Sequence, residues 1–228
     1  SFIAWRSPWR RAGQPLFGDL HPGGRAQRDQ VVVEVVAGVV QHARAHAVAA
    51  DAVAAEAPGR IAGNNTGYTG PIALTAGTLA LNSYNAIINA SALNVTGNAT
   101  LLYGTGNTTD VSAKLGTIAA GTTFTVDTNG NIVTYASAFT AAGTLVKANS
   151  GTLILGAANN LTGALNVTGG SVRLTHAGAL GTATVTVGAG SYLDLNNLDA
   201  TGAAIVLDGG TLSRTSSYSG TVTFTNPT

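Results

Sequence analysis

Asp110, Asp127, Asp194, Asp199 and Asp208 are the carboxylates of the last three quarters of the chain. Carboxylates set in pairs across a sugar are what a polysaccharide lyase or glycosidase needs for general acid and base work. The spacing here supplies no such pair. Asp194 alternates with Leu193 and Leu195, which in a strand points it to solvent. Asp208 precedes Gly209-Gly210, as a turn residue does. His42 and His46 are four residues apart and on a helix would share a face, the start of a zinc site, but no third ligand follows at a useful spacing. "DTNGN" at 127–131 opens like a calcium loop, yet Ile132 stands where glycine is required and Ala138 where a bidentate glutamate is required. A serine hydrolase needs Ser, His and Asp together; residues 61–228 contain one histidine, His176, and no Gly-x-Ser-x-Gly elbow. No residue is therefore assigned as catalytic, cofactor-binding or metal-ligating, and no enzymatic activity is expected.

The chain has 228 residues, a formal net charge of +1 and no cysteine. A near-neutral chain with few charges lacks the clustered Lys and Arg of a nucleic-acid groove, so no nucleic-acid partner is expected. The absence of cysteine excludes a disulfide framework and thiolate chemistry, and it suits an exported chain. The longest apolar stretch, 31–57, is interrupted by Glu34, Arg44, Asp51 and Glu56 and is a poor membrane span. The N-terminal order of apolar and basic residues is the reverse of a signal peptide, so the chain reads as a piece of something longer.

Two vocabularies meet near residue 60. Residues 1–60 contain no Thr, Asn, Tyr or Lys, whereas 61–228 contain 31 Thr and 17 Asn and no Glu, Gln or Trp. The first part includes a Val run at 31–40 that β-branching favours as strand. An Ala-rich run at 42–57 follows, a candidate helix stopped by Pro58-Gly59. Residues 1–60 read as compositionally foreign to the rest, a frameshift or fusion scar; the rival reading is a cap over an open solenoid end.

From residue 61 onward the apolar residues alternate in short runs between Gly and Asn clusters, the pattern of half-buried strands and turns. Runs begin at 153, 165, 172, 185, 193, 205 and 212, so that every second start lies 19 to 21 residues on. A fixed period near twenty residues without helical stretches marks a coiling β-solenoid. About eight coils at about 4.8 Å each would make a rod of about 40 Å. The rhythm blurs between 101 and 147, where "FTVDTNGNIVTY" (124–135) reads as a hairpin around Asn129-Gly130. A phrase also recurs: 66–81 and 159–174 agree at Thr69/Thr162, Gly70/Gly163, Thr75/Thr168, Gly77/Gly170 and Leu81/Leu174.

These motifs resemble the passenger-associated transport repeat, or autotransporter-associated β-strand repeat. Lys147, Gly151-Thr152-Leu153, Asn159 and Thr162-Gly163 match its order, and 63–81, with Thr69, Gly70 and Gly77, matches its second half. The resemblance implies an all-β fold, a right-handed single-stranded parallel β-helix over 61–228; for residues 1–60, which it does not cover, composition leaves a helical or disordered segment open. It implies a secreted, cell-surface passenger domain of a Gram-negative bacterium, attached to the outer membrane through a C-terminal β-barrel translocator (type V secretion). The expected work is that of a stalk or adhesion scaffold that aids its own export, with host or cell-surface ligands as partners. The alternative is a β-helical carbohydrate-active enzyme or carbohydrate-binding surface protein.

Overall fold

In the computed structural model the alternating apolar residues form short strands, most of them paired in parallel with strands one coil before and one coil after. The structure describes residues 65–83, 85–200, 202–214 and 217–225, and the backbone of the strands Val33–Val36, Val39–Gln41 and Arg60–Ile61. The chain winds as a parallel β-solenoid of about eight turns with almost no helix.

A coil has three faces. In one coil they are Asn160–Leu161, Ala164–Val167 and Ser171–Leu174. The second face is the longest, a nine-stranded sheet running from Arg60–Ile61 to Val222–Phe224. The third is a five-stranded sheet from Ile132–Tyr135 to Thr211–Ser213. The first is discontinuous. Pro71–Leu74 and Ala92–Val95 pair at one end, Thr140–Ala141 and Asn160–Leu161 further along, and single bridges Leu93 to Leu115 and Ile118 to Ala141 link the two parts. In the coil after Asn160–Leu161 a short 3-10 turn, Ala177–Leu180, takes the strand's place.

The register reproduces the period read from the sequence. On the second face Leu145, Leu165, Val185 and Ile205 lie side by side, in steps of 20 (165 − 145, 185 − 165, 205 − 185). On the third face Leu153, Val172, Leu193 and Leu212 are neighbours, in steps of 19, 21 and 19 (172 − 153, 193 − 172, 212 − 193). All but Leu212 of these eight are buried. Like side chains stacked over like bury continuous aliphatic rows, each Leu or Val contributing about 1.5–3 kcal/mol when fully withdrawn from water.

Three expectations need correction. Thr123–Asp127 and Ile132–Tyr135 are not a hairpin: the first pairs in parallel with Thr144–Ala148 on the second face, the second with Thr152–Leu155 on the third. Asn129-Gly130 does turn the chain, with φ of 49° and 79°, but it turns a corner between faces rather than reversing a strand. The recurrent phrase also shifts by one face. Ala164–Val167 lies on the second face, whereas its counterpart Pro71–Leu74 lies on the first. The matching residues repeat a strand–corner–strand grammar, and that grammar serves either corner. Asp194, third, is not exposed, for reasons given below.

The blurred rhythm has a simple cause. Ala99 pairs with Phe124, a step of 25 (124 − 99), because that coil carries an extra loop with a 3-10 turn at Ser112–Lys114. At the other end, Val33–Val36 runs parallel to Pro71–Leu74 and antiparallel to Val39–Gln41, and Arg60–Ile61 pairs with Ala80-Leu81. The compositional break at 60/61 thus falls inside a strand. The Ala-rich run at 42–57, with His42 and His46, lies outside the described residues.

Candidate interaction surface

The corner between the second and third faces is built around Lys147. In register it lies in a row with Leu79, Leu101, Val126, Val167, Val187 and Leu207, all of which point inward. Its four-carbon stem packs as an aliphatic chain would, and the residue is 0% exposed. The ammonium reaches the corner and donates to the carbonyls of Ala148 (2.7 Å), Asn149 (2.9 Å), Ser150 (3.4 Å) and Gly169 (3.2 Å), the last belonging to the next coil. Burial lowers its pKa to about 8, against an opposing pull from Asp127. Lys147 is therefore an internal staple between coils.

The other repeat residues sit at the same kinds of corner. Gly151, with φ +90°, opens the third-face strand that contains Thr152 and Leu153; Gly170 opens the next one. Thr152 Oγ1 and the Ser171 hydroxyl are hydrogen-bonded at 2.8 Å across coils. Thr162 and Gly163 turn from the first face to the second, their N–H groups both donating to Ala141 O. Gly163 is required for close approach and not for a special φ: a Cβ there would lie 2.5 Å from Ala142 O and would also strike Gly143 O. Thr69 and Gly70 precede Pro71–Leu74, and Gly77 begins Gly77–Leu81, one corner earlier in the coil than the sequence match placed them. Asn159 ties three coils together, accepting from Phe139 N–H (3.2 Å) and donating to Ala179 O (2.9 Å).

The outside of the third face is where exposed chemistry gathers. One outward row runs Ile132, Thr152, Ser171, Tyr192, Thr211; beside it runs Thr134, Ile154, Arg173, Asp194, Ser213. Tyr192 is 50% exposed and Ile132 61%. Asp194 was expected in solvent because its side chain points outward; it does point outward, but two guanidinium groups cover it. Arg173 Nε donates to its Oδ2 at 2.9 Å, Arg214 Nε to its Oδ1 at 2.7 Å, and Arg214 Nη2 also to Oδ2. The Asn196 N–H adds a further donor to Oδ1 at 2.9 Å. Burial pushes the carboxyl's pKa up, but the bonds from Arg214, the Asn196 N–H and Arg173 outweigh it and hold the group below the usual carboxylate range.

The remaining carboxylates stand apart from this cluster. Asp127 and Asp208 end strands of the second face that are four strand spacings apart, or about 19 Å. Asp127 accepts from Asn149 Nδ2, Asp110 from Ser112 and Ala136, and Asp199 from Ser219. His176 accepts the Gly178 N–H and caps the 3-10 turn. The sequence carries one signal of the charge cluster that alternation does not show: Arg173, Asp194 and Arg214 are spaced by 21 and 20 residues (194 − 173, 214 − 194), one coil each. Opposite charges at the coil period become lateral neighbours. Compared with known protein families, with curated proteins and with solved structures, the chain finds no match.

Proposed function

We propose that residues 61–228 form part of an autotransporter passenger on the surface of a Gram-negative bacterium, working as a stalk or adhesion scaffold and not as an enzyme. A C-terminal outer-membrane β-barrel would be its translocator. The observation that carries this reading is the in-register parallel stacking of about eight coils, with an unpaired strand edge offered at each step of assembly. Such an edge templates the strand that follows it, and stability accrues from each interface between neighbours. Burying one aliphatic row after another outside the membrane resists backward slippage of the emerging chain. The near-neutral, cysteine-free composition favours passage unfolded, and the repeat motifs around Lys147 and Gly151-Thr152-Leu153 support the same assignment.

The test is surface display of the chain fused ahead of an autotransporter barrel, read by protease treatment of intact cells. The wild-type segment is expected at the surface with a protease-resistant core. Leu165→Asp, which sets a charge in an inward row, is expected to reduce display several-fold. Equal display of wild type and Leu165→Asp, or no display of either, would overturn the proposal.

A further inference from the structure

We propose that the third face around Tyr192 binds an acidic polysaccharide through its uronate carboxylates. The occupant is argued from four features of that face. First, it carries two guanidinium groups against one carboxylate, so the patch keeps an excess positive charge after Asp194 is paired. Second, the site already displays the recognition geometry: Arg214 holds both oxygens of Asp194 with a forked pair of donors, the arrangement that suits a planar carboxylate. Third, Arg173 spends only Nε on Asp194. Its two Nη groups donate to nothing among the described residues, and its side chain is 43% exposed. Fourth, Tyr192 offers a half-exposed ring two residues from Asp194 on the same outward side, about 7 Å along the strand. An amphipathic ring of this kind suits the apolar face of a pyranose, leaving sugar hydroxyls to neighbours such as Ser171 and Thr211.

The geometry is also preorganised. Arg173 and Tyr192 stand on adjacent strands of a parallel sheet whose inward side is packed, and Asp194, beside Arg173 in the same outward row, holds the guanidinium groups. A linear chain laid across the coils would meet the same outward rows at successive steps of about 4.8 Å. Asp194 is a positioning residue here. Arg173 and Tyr192 make the contacts.

The experiment uses the full chain and hyaluronan oligosaccharides as the carboxylate probe, with neutral dextran and dextran sulfate of matched length as controls, measured by calorimetry at low and moderate salt. Expected is binding to hyaluronan that weakens with salt, at least tenfold tighter than to dextran. Tyr192→Ala and Arg173→Gln should each weaken it tenfold or more, with the circular dichroism of the folded chain retained. A third substitution, Thr186→Ala on the outer side of the second face, should leave it unchanged. The proposal is overturned if hyaluronan does not bind, if dextran binds equally, if dextran sulfate alone binds, or if both Tyr192→Ala and Arg173→Gln bind as wild type does. Light scattering in the same buffers separates a further outcome: association of the chain with itself through this face, abolished by Tyr192→Ala, would replace the glycan as occupant and sink the proposal.

Discussion

Lys147 occupies a place in an aliphatic row where its neighbours one coil away are Val126 and Val167. An unfolded lysine titrates near 10.5, whereas burial brings this one to about 8. Between those values the unfolded chain binds more protons than the folded one, so stability rises with pH across that window. The buried pair Tyr103 and Tyr135, hydroxyl to hydroxyl at 3.4 Å, acts in the opposite sense: burial raises both pKa values, so above pH 10 the unfolded chain ionises first and stability falls. Urea unfolding at about pH 7.5 and about pH 9.5 should show wild type gaining stability and Lys147→Met gaining none. Asp194 governs the acid side. Its depressed pKa means that its contribution is present above 3.8 and is lost as pH falls through the folded value, a loss that Asp194→Asn should not show. Ser191 supplies a third case: its hydroxyl is buried and bonds to nothing described. Ser191→Ala should therefore stabilise the fold by about 1 kcal/mol, measured by the same unfolding curves.

Elements in this chain are held by what lies one coil away, and corners are less tolerant than strands. Gly163→Ala would drive a methyl group into the carbonyls of Ala142 and Gly143, and should cost about 2 kcal/mol or more. Leu153→Ala removes buried volume between Val133 and Val172 and should cost about 2–5 kcal/mol. Thermal melts of the two variants check both values. The strands of the second and third faces were legible because period-two alternation fixes which side chains point inward, as at Leu165/Val167 and Val172/Leu174. The first face was legible only where its strands run four residues, as at Ile72/Leu74 and Leu93/Val95; further along they shrink to Asn160–Leu161 or give way to a 3-10 turn. The 124–135 segment misled for a physical reason: Asn129-Gly130 has the left-handed conformations that a hairpin turn wants, and a solenoid corner wants them too. Local turn chemistry does not say whether the chain comes back or goes round. Asp194 shows the same limit. Alternation gave its direction correctly, but its exposure depends on Arg173 and Arg214, each a full coil distant.

At the scale of the molecule, the outward second-face positions Thr78, Thr100, Thr125, Val146, Asn166, Thr186, Val206 and Thr223 follow one another in register. Each step should advance the chain by one strand spacing, so that the solenoid's length is set by its number of coils. The export, display and glycan capture proposed above all depend on that geometry. Because the sequence has no cysteine, spin labels can be placed in pairs without background. Distances between labels on Thr125→Cys/Thr186→Cys and on Thr78→Cys/Thr223→Cys, measured by pulsed electron resonance, test it most directly. Stacked coils predict separations of about 14 Å and about 34 Å between the labelled backbones, growing in proportion to the number of coils crossed. Separations that are broad, or that do not increase with coil number, would contradict the account.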